Sequence, residues 1–231
     1  MIKALTGTSL IEYPGKISSI VFLSGCNLYC PYCHNPELVR TDILKDEYNL
    51  THDQVLQDLK EREGFIEAVT LTGGEPLLYG RITELAGSIK SETGLSLKID
   101  TNGTFPQRLK EVSEYADFVA MDLKSSPEGY PKATGERAGF PEVEESIHFI
   151  LKLPMYEFRT TMVPGIVSRD DVVGLMEMLG GVERYVLQTF HSRKTLSSEY
   201  KGVPAYPKGY LEETAEILKR KGLVNEVSIR L

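Results

Sequence analysis

The chain holds three cysteines, Cys26, Cys30 and Cys33, and all three fall in one eight-residue stretch. The surrounding sequence is Ser24-Gly25-Cys26-Asn27-Leu28-Tyr29-Cys30-Pro31-Tyr32-Cys33-His34-Asn35-Pro36. Cysteines kept for packing would be scattered. A disulfide would leave one thiol over and would gain little in so short a loop. The spacing C-x3-C-x2-C reads instead as metal ligation by a loop curled around one centre. A closed zinc site takes four ligands, so His34 or a distant residue would have to complete it. A four-iron cluster on three thiolates leaves one iron without a protein ligand, and an open coordination position marks a catalytic centre. The spacing favours the iron–sulfur reading over zinc, and both over inert thiols.

Other residues suited to chemistry stand in short polar or glycine-rich runs. Gly73-Gly74-Glu75-Pro76 lets a backbone approach a ligand closely, because no Cβ intervenes, and Glu75 adds charge. Asp100 heads Asp100-Thr101-Asn102-Gly103, where alone it would read as a local turn closed by Thr101 and Asn102. Asp122 and Lys124 lie two apart and so share a face of an extended chain; alone they read equally well as a structural ion pair. A lone His191 is more often structural than functional, and His52 and His148 read as surface or helix residues.

Each of these runs must be held by something regular. Residues 18–24, 68–72, 95–100, 118–123, 157–163, 183–189 and 226–231 are β-branched or alternating and read as strands. Between them, 51–62, 82–91, 106–115, 141–152, 170–179 and 210–221 read as helices, with Thr51 as an N-cap and Pro141 in a first turn. Six β-then-α units in strict alternation call for parallel strands with right-handed crossovers. That is fewer than the eight of a closed barrel, so an α/β fold is expected: a partial (β/α)6 barrel open on one side, or a doubly wound sheet. No linker-like stretch interrupts residues 1–231, which read as a single domain. The cysteine loop, Gly73-Gly74-Glu75-Pro76, Asp100-Thr101, Asp122-Lys124 and His191 each follow the carboxyl end of an expected strand. In parallel α/β folds that edge carries the chemistry.

Composition narrows the remaining classes. The 231 residues carry 26 Lys and Arg against 33 Asp and Glu, a net charge of −7. Nucleic acids and anionic membranes demand clustered positive charge, and Lys219-Arg220-Lys221 and Arg193-Lys194 are too small to supply it. No run approaches the ~18 apolar residues of a membrane span, and the N-terminus does not read as a signal peptide. A reducing cytoplasm is the expected compartment.

Together these residues resemble the radical S-adenosylmethionine (SAM) superfamily. The match rests on C-x3-C-x2-C with aromatic Tyr32 before the last cysteine, and on the Gly-Gly-Glu-Pro turn after the second strand. The resemblance implies a [4Fe–4S] cluster on Cys26, Cys30 and Cys33, whose unique iron is chelated by the amino and carboxylate groups of SAM. An electron passed into the sulfonium cleaves SAM to methionine and a 5′-deoxyadenosyl radical. Within the superfamily, Thr8-Ser9-Leu10-Ile11-Glu12-Tyr13-Pro14-Gly15-Lys16, the Cys-His-Asn-Pro-Glu-Leu ending, Asp-Thr-Asn-Gly-Thr, Met-Asp-Leu-Lys and Gln-Thr-Phe-His resemble glycyl-radical-enzyme activating proteins. The resemblance then assigns Gly73, Gly74 and Glu75 to the SAM amino group and Asp100, Thr101, Asp122 and Lys124 to its methionine end. The backbones of Tyr32 and His34 meet the adenine edge, and His191 contacts SAM. In pyruvate formate-lyase activating enzymes the matching aspartates also help bind a monovalent cation near the SAM carboxylate.

The resemblance implies a protein substrate, the glycine loop of a glycyl-radical enzyme, and an electron donor of the flavodoxin or ferredoxin type. The N-terminal Thr-Ser-Leu-Ile-Glu-Tyr-Pro-Gly-Lys stretch points to an anaerobic ribonucleoside-triphosphate reductase as that partner. The chain's length is nearer to the formate-lyase type. Two further readings are a radical SAM enzyme acting on a small molecule, such as a deazapurine precursor, and a zinc-binding interaction module.

Overall fold

The computed structural model describes residues 1–40 and 49–230. Its strands are β1 (Ile2–Tyr13), β2 (Lys16–Leu23), β3 (Ala68–Gly73), β4 (Ser96–Thr101), β5 (Phe118–Asp122), β6 (Tyr156–Met162), β7 (Val182–Thr189) and β8 (Val224–Arg230). Its helices are α1 (Pro36–Val39), α2 (His52–Glu61), α3 (Ile82–Thr93), α4 (Pro106–Val112), α5 (Tyr130–Thr134), α6 (Pro141–Ile150), α7 (Arg169–Leu179) and α8 (Lys208–Arg220). The strands lie in one sheet in chain order, with β1 and β8 as its edges, so the sheet is not closed. β1 pairs antiparallel with β2. The pairs β2–β3, β3–β4, β6–β7 and β7–β8 are parallel. From β2 onward, six strand-then-helix units run as expected; the last residue of the expected strand 226–231 lies outside the described residues.

Two compact units make up the chain. Met1–Asn27, Glu37–Thr101 and Phe105–Ala120 form the first; Leu28–Pro36, Asn102–Thr104 and Met121–Leu231 form the second. In the first unit the register sets Ile20 beside Thr70 and Thr70 beside Lys98. Side chains alternate across a strand, so Val69, Leu71, Leu97 and Ile99 share one face and are fully buried. Thr70, Thr72, Lys98 and Asp100 share the other. α2 begins with a capping box, in which Thr51 accepts from Gln54 N and the Gln54 side chain accepts from Thr51 N. That closes two of the orphan donors of a helix start. α3 stops at Gly94, whose φ of 65° is left-handed.

In the second unit the register sets Phe158 beside Tyr185 and Thr160 beside Leu187. These four are buried. The Tyr185 hydroxyl donates to Thr160 Oγ1 at 2.5 Å, and Thr160 donates on to the Leu123 carbonyl at 2.7 Å. Glu157 and Arg159 point to the opposite face by alternation, yet they too are buried, 4% and 6% exposed. α7 repeats the capping box with Ser168 and Asp171.

Candidate functional site

In the first unit the carboxyl ends of β2, β3 and β4 are tied by main-chain hydrogen bonds. Gly74 N donates to Leu23 O at 2.9 Å, Glu75 N to Gly25 O at 2.8 Å, and Gly25 N to Leu38 O at 2.8 Å. A Cβ on Gly74 would overlap the Gly25 carbonyl, and one on Gly73, at φ 129°, would overlap the Leu23 backbone. Glycine at both positions therefore lets two chain segments touch. Glu75 is 1% exposed. Its Oε1 accepts from Leu77 N at 3.0 Å, capping the 3-10 turn Pro76–Leu78, and from the Thr101 hydroxyl at 2.9 Å. Glu75 thus works as a hydrogen-bond acceptor that joins the β3 turn to the end of β4.

Asp100 has partners on its own and the neighbouring strand. Thr72 Oγ1 donates to its Oδ2 at 3.1 Å, and Lys98 Nζ stands 2.7 Å from its Oδ1. Cys26 also belongs to the first unit and is partly exposed.

In the second unit the cysteine loop is pinned from two sides. Tyr29 N donates to Thr134 O at 3.0 Å, and Ser197 N to Pro31 O at 2.9 Å. Gly135, at φ 68°, follows α5, and a Cβ there would overlap the Tyr29 carbonyl. Cys33 N donates to Cys30 O at 3.0 Å, which curls the loop. None of the three cysteines is in a disulfide. Burial pushes the Cys30 thiol up to about 11, with Lys124 pulling the other way. The Tyr32 hydroxyl is buried with no hydrogen-bond partner among the described residues.

Past β5, Asp122 accepts from Lys124 Nζ at 3.0 Å and from Arg159 Nε at 2.7 Å. Burial opposes its charge, but Arg159 and Lys124 outweigh this and hold the carboxyl far below the ordinary range. Burial likewise opposes the Lys124 ammonium, and Asp122, with Cys30 and Tyr32, holds its pKa well above that of an ordinary lysine. Behind Arg159, Glu157 Oε1 lies 4.0 Å from Arg159 Nη1 and accepts from Arg230 Nη2 at 3.0 Å. A ladder of alternating charge results: Lys124, Asp122, Arg159, Glu157, Arg230. His34 and His191 are exposed, and Asn35 Nδ2 lies 3.3 Å from His34 Nε2.

A family model described as the radical SAM superfamily matches residues 20–179. A relative from Methanocaldococcus jannaschii, provisionally described as a glycyl-radical enzyme activating enzyme, is 30% identical, covering 100% of this chain and 95% of its own. The chain belongs to the radical SAM superfamily. The pyruvate formate-lyase-activating enzyme of Clostridium pasteurianum is 27% identical over 202 residues, 83% of this chain and 82% of its own. Among solved structures, Streptococcus suis SuiB bound to precursor peptide SuiA superposes with a TM-score of 0.71 at 13% identity, over 92% of this chain and 48% of SuiB. That last likeness is one of fold alone.

As a radical SAM protein the chain uses a [4Fe–4S] cluster and SAM and is an oxidoreductase. Its residues fit that pair. The donor set is three soft thiolates with no fourth cysteine, as an open iron demands. Among the described residues, no three His, Cys, Asp or Glu side chains gather as they would around a single metal ion. The Tyr32 hydroxyl, buried with no hydrogen-bond partner among the described residues, is a feature a bound cofactor would explain. Among the described residues no helix is long and apolar enough to cross a membrane.

The sequence reading missed Lys98, Arg159, Thr134 and Gly135. Lys98 and Arg159 were nonetheless visible. Each is a charged residue inside a strand of otherwise apolar or hydroxyl side chains, two positions from a carboxylate, and alternation puts such a pair on one face.

Proposed function

We propose that this chain is a glycyl-radical-enzyme activase whose partner is an anaerobic ribonucleoside-triphosphate reductase. The observation that carries the activase reading is the likeness over the whole chain to an activating enzyme at 30% identity. Further support comes from charged and glycine-rich residues at strand ends in both units. When bound, the cluster supplies the electron that cleaves SAM, and the fragment of SAM so made takes a hydrogen atom from the partner's glycine.

In this reading Cys26, Cys30 and Cys33 hold the cluster. Gly73 and Gly74 bring backbone close to the SAM amino group. Glu75 fixes their turn through Leu77 N and Thr101. Lys124, kept protonated beside Asp122, offers positive charge to the SAM carboxylate. Asp122 and Arg159 hold Lys124 in place. Asp100 and Thr101 line the methionine end, Tyr32 and His34 the adenine edge, and His191 also contacts SAM. A flavodoxin- or ferredoxin-type protein delivers the electron, in the cytoplasm.

The second reading, an activase of the pyruvate formate-lyase type, is favoured by the likeness to the Clostridium pasteurianum enzyme. One experiment separates these two and the small-molecule alternative. Under anaerobic reducing conditions with SAM, each candidate partner carrying deuterium at its glycine α-carbon is added. The reductase should develop a glycyl-radical doublet in electron paramagnetic resonance, and deuterium should appear in 5′-deoxyadenosine. A doublet only with the formate-lyase-type partner would move the assignment there. SAM cleavage without label transfer from either would end the activase reading.

A further inference from the structure

The resemblance places a monovalent cation against two aspartates near the SAM carboxylate, and this chain does not fit that cation. We infer that Lys98 supplies, as an ammonium built into the fold, the positive charge such a cation would bring to Asp100, so that SAM binds here without an alkali metal ion. The inference rests on the reading of Asp100 as part of the SAM site.

Lys98 is unusual for a lysine. Its side chain is 0% exposed, and its Nζ stands 2.7 Å from Asp100 Oδ1, itself on a side chain 9% exposed. Lysine is almost never fully buried unless paired. Burying two charges costs several kcal/mol per ion, so a bare structural pair is a weak stabiliser. Among the described residues Lys98 Nζ meets no acceptor in hydrogen-bonding geometry, and its 2.7 Å approach to Asp100 Oδ1 is a contact of charges. A fully buried ammonium with unused donors calls for an explanation. An anionic ligand arriving at the end of β4 would provide the missing acceptor.

The positions leave little for a metal ion to do. Asp100 Oδ1 faces Lys98, and Oδ2 accepts from Thr72. An alkali ion on Oδ1 would have to displace an ammonium whose tether gives it an effective concentration in the millimolar range or above. Beside it, the ion would meet a like charge in a poorly screened interior. Within its own unit Asp122 is also matched, by Lys124 at 3.0 Å and Arg159 at 2.7 Å. Each aspartate the resemblance assigns to the cation therefore already has a cationic side chain of its own. Register explains how the lysine gets there: Lys98 sits beside Thr70 and two residues before Asp100, on one face of β4.

The test uses the anaerobically reconstituted holoprotein and SAM in isothermal titration calorimetry. Ionic strength is held constant with tetramethylammonium chloride, sodium chloride or potassium chloride. The wild-type dissociation constant should agree within about two-fold across the three salts. Lys98→Met, folded and iron-replete, should bind SAM at least about ten-fold more weakly in tetramethylammonium, a loss of about 1.4 kcal/mol. Sodium or potassium should restore part of that affinity, filling the vacated charge. A wild-type affinity that rises about five-fold or more with sodium or potassium overturns the inference, as does a Lys98→Met that binds like wild type in every salt. The wild-type titration decides even if Lys98→Met fails to fold. In that event Lys98→Met/Asp100→Asn, which removes both charges, should show no response to alkali ions; restoration there also overturns the inference. Wild type that binds no SAM in any salt would instead overturn the underlying assignment of the site.

Discussion

Asp100 and Asp122 both stand at the carboxyl end of a strand, one in each unit, and both face cations of their own chain. Their surroundings differ in kind. Asp100 accepts from the Thr72 hydroxyl, and its neighbour Thr101 donates to a Glu75 that also accepts from Leu77 N. Lys98 Nζ stands 2.7 Å from its Oδ1, outside hydrogen-bonding geometry. Asp122 is held by two directed cations and is the second rung of a five-residue charge ladder ending at Arg230. The strand ends of the first unit are therefore shaped by close backbone packing, those of the second by paired charge. Packing tolerates a change of charge better than of volume, and a charge ladder the reverse.

The largest expected effect comes from removing a thiolate. Cys30 is buried in the pinned loop, so Cys30→Ala should leave the fold intact and abolish the cluster. Iron content and visible absorbance after anaerobic reconstitution read this directly. Wild-type iron in Cys30→Ala would remove it from the ligand set.

Next in size is Asp122→Asn, which keeps shape and deletes charge. Lys124 and Arg159 would then face one another unneutralised, and stability should fall by about 2–4 kcal/mol, discounted from a fully buried pair because the site is partly exposed. The Asp122 pKa is lowered in the fold. Its contribution is therefore fully present above the unfolded value of about 3.9 and fades as pH falls below it. The stability gap between Asp122→Asn and wild type should be flat from pH 5 to 8 and begin to narrow as pH falls below about 4, as chemical denaturation at each pH would show. A gap below about 0.5 kcal/mol at pH 7 would reduce the ladder to a surface ion pair. Lys124→Ala should weaken SAM binding by about 1–3 kcal/mol with iron content unchanged.

How much of this was legible follows from the same contrast. Strands β2 to β8, the capped helix α2 and the proline start of α6 could be read because each is encoded locally, by alternation, Thr51 or Pro141. The edge strand β1 was not. Its polar, glycine-containing sequence looks like loop, and it is extended because it pairs along β2, with Ser19 Oγ donating to Gly7 O at 2.8 Å. α5 escaped for its five residues and internal proline, although Gly135 after it positions the cysteine loop. The motif residues were found from spacing, but their partners were not. Arg159 reaches Asp122 from 37 residues away, whereas Lys98 stands two residues from Asp100 on one strand and could have been read by alternation.

A smaller effect tests the packing half. A Cβ on Gly74 would overlap the Gly25 carbonyl, whereas one on Gly80 would meet nothing within 4 Å. Gly74→Ala should cost about 1–3 kcal/mol in a denaturant melt, as overpacking does. Gly80→Ala should stay within about 0.5 kcal/mol of wild type. Equal costs would mean that the turn yields, and that glycine there serves no close approach.

The smallest effect is the one that divides the two halves most sharply. Glu75 and Asp122 are both carboxylates at strand ends, yet Glu75 Oε1 is used as an acceptor, from Leu77 N at 3.0 Å and the Thr101 hydroxyl at 2.9 Å. An amide oxygen accepts the same two bonds. Glu75→Gln should therefore lose less than about 1 kcal/mol, the worth of the charge in those bonds rather than of the bonds themselves. Glu75→Leu keeps bulk but leaves Leu77 N and the Thr101 hydroxyl unsatisfied in the interior, at about 1–3 kcal/mol for such groups. Thermal or denaturant melts of the two variants beside Asp122→Asn and wild type give the ordering. If Glu75→Gln cost as much as Asp122→Asn, charge would govern both halves alike, and the division between a packed half and a charged half would fall.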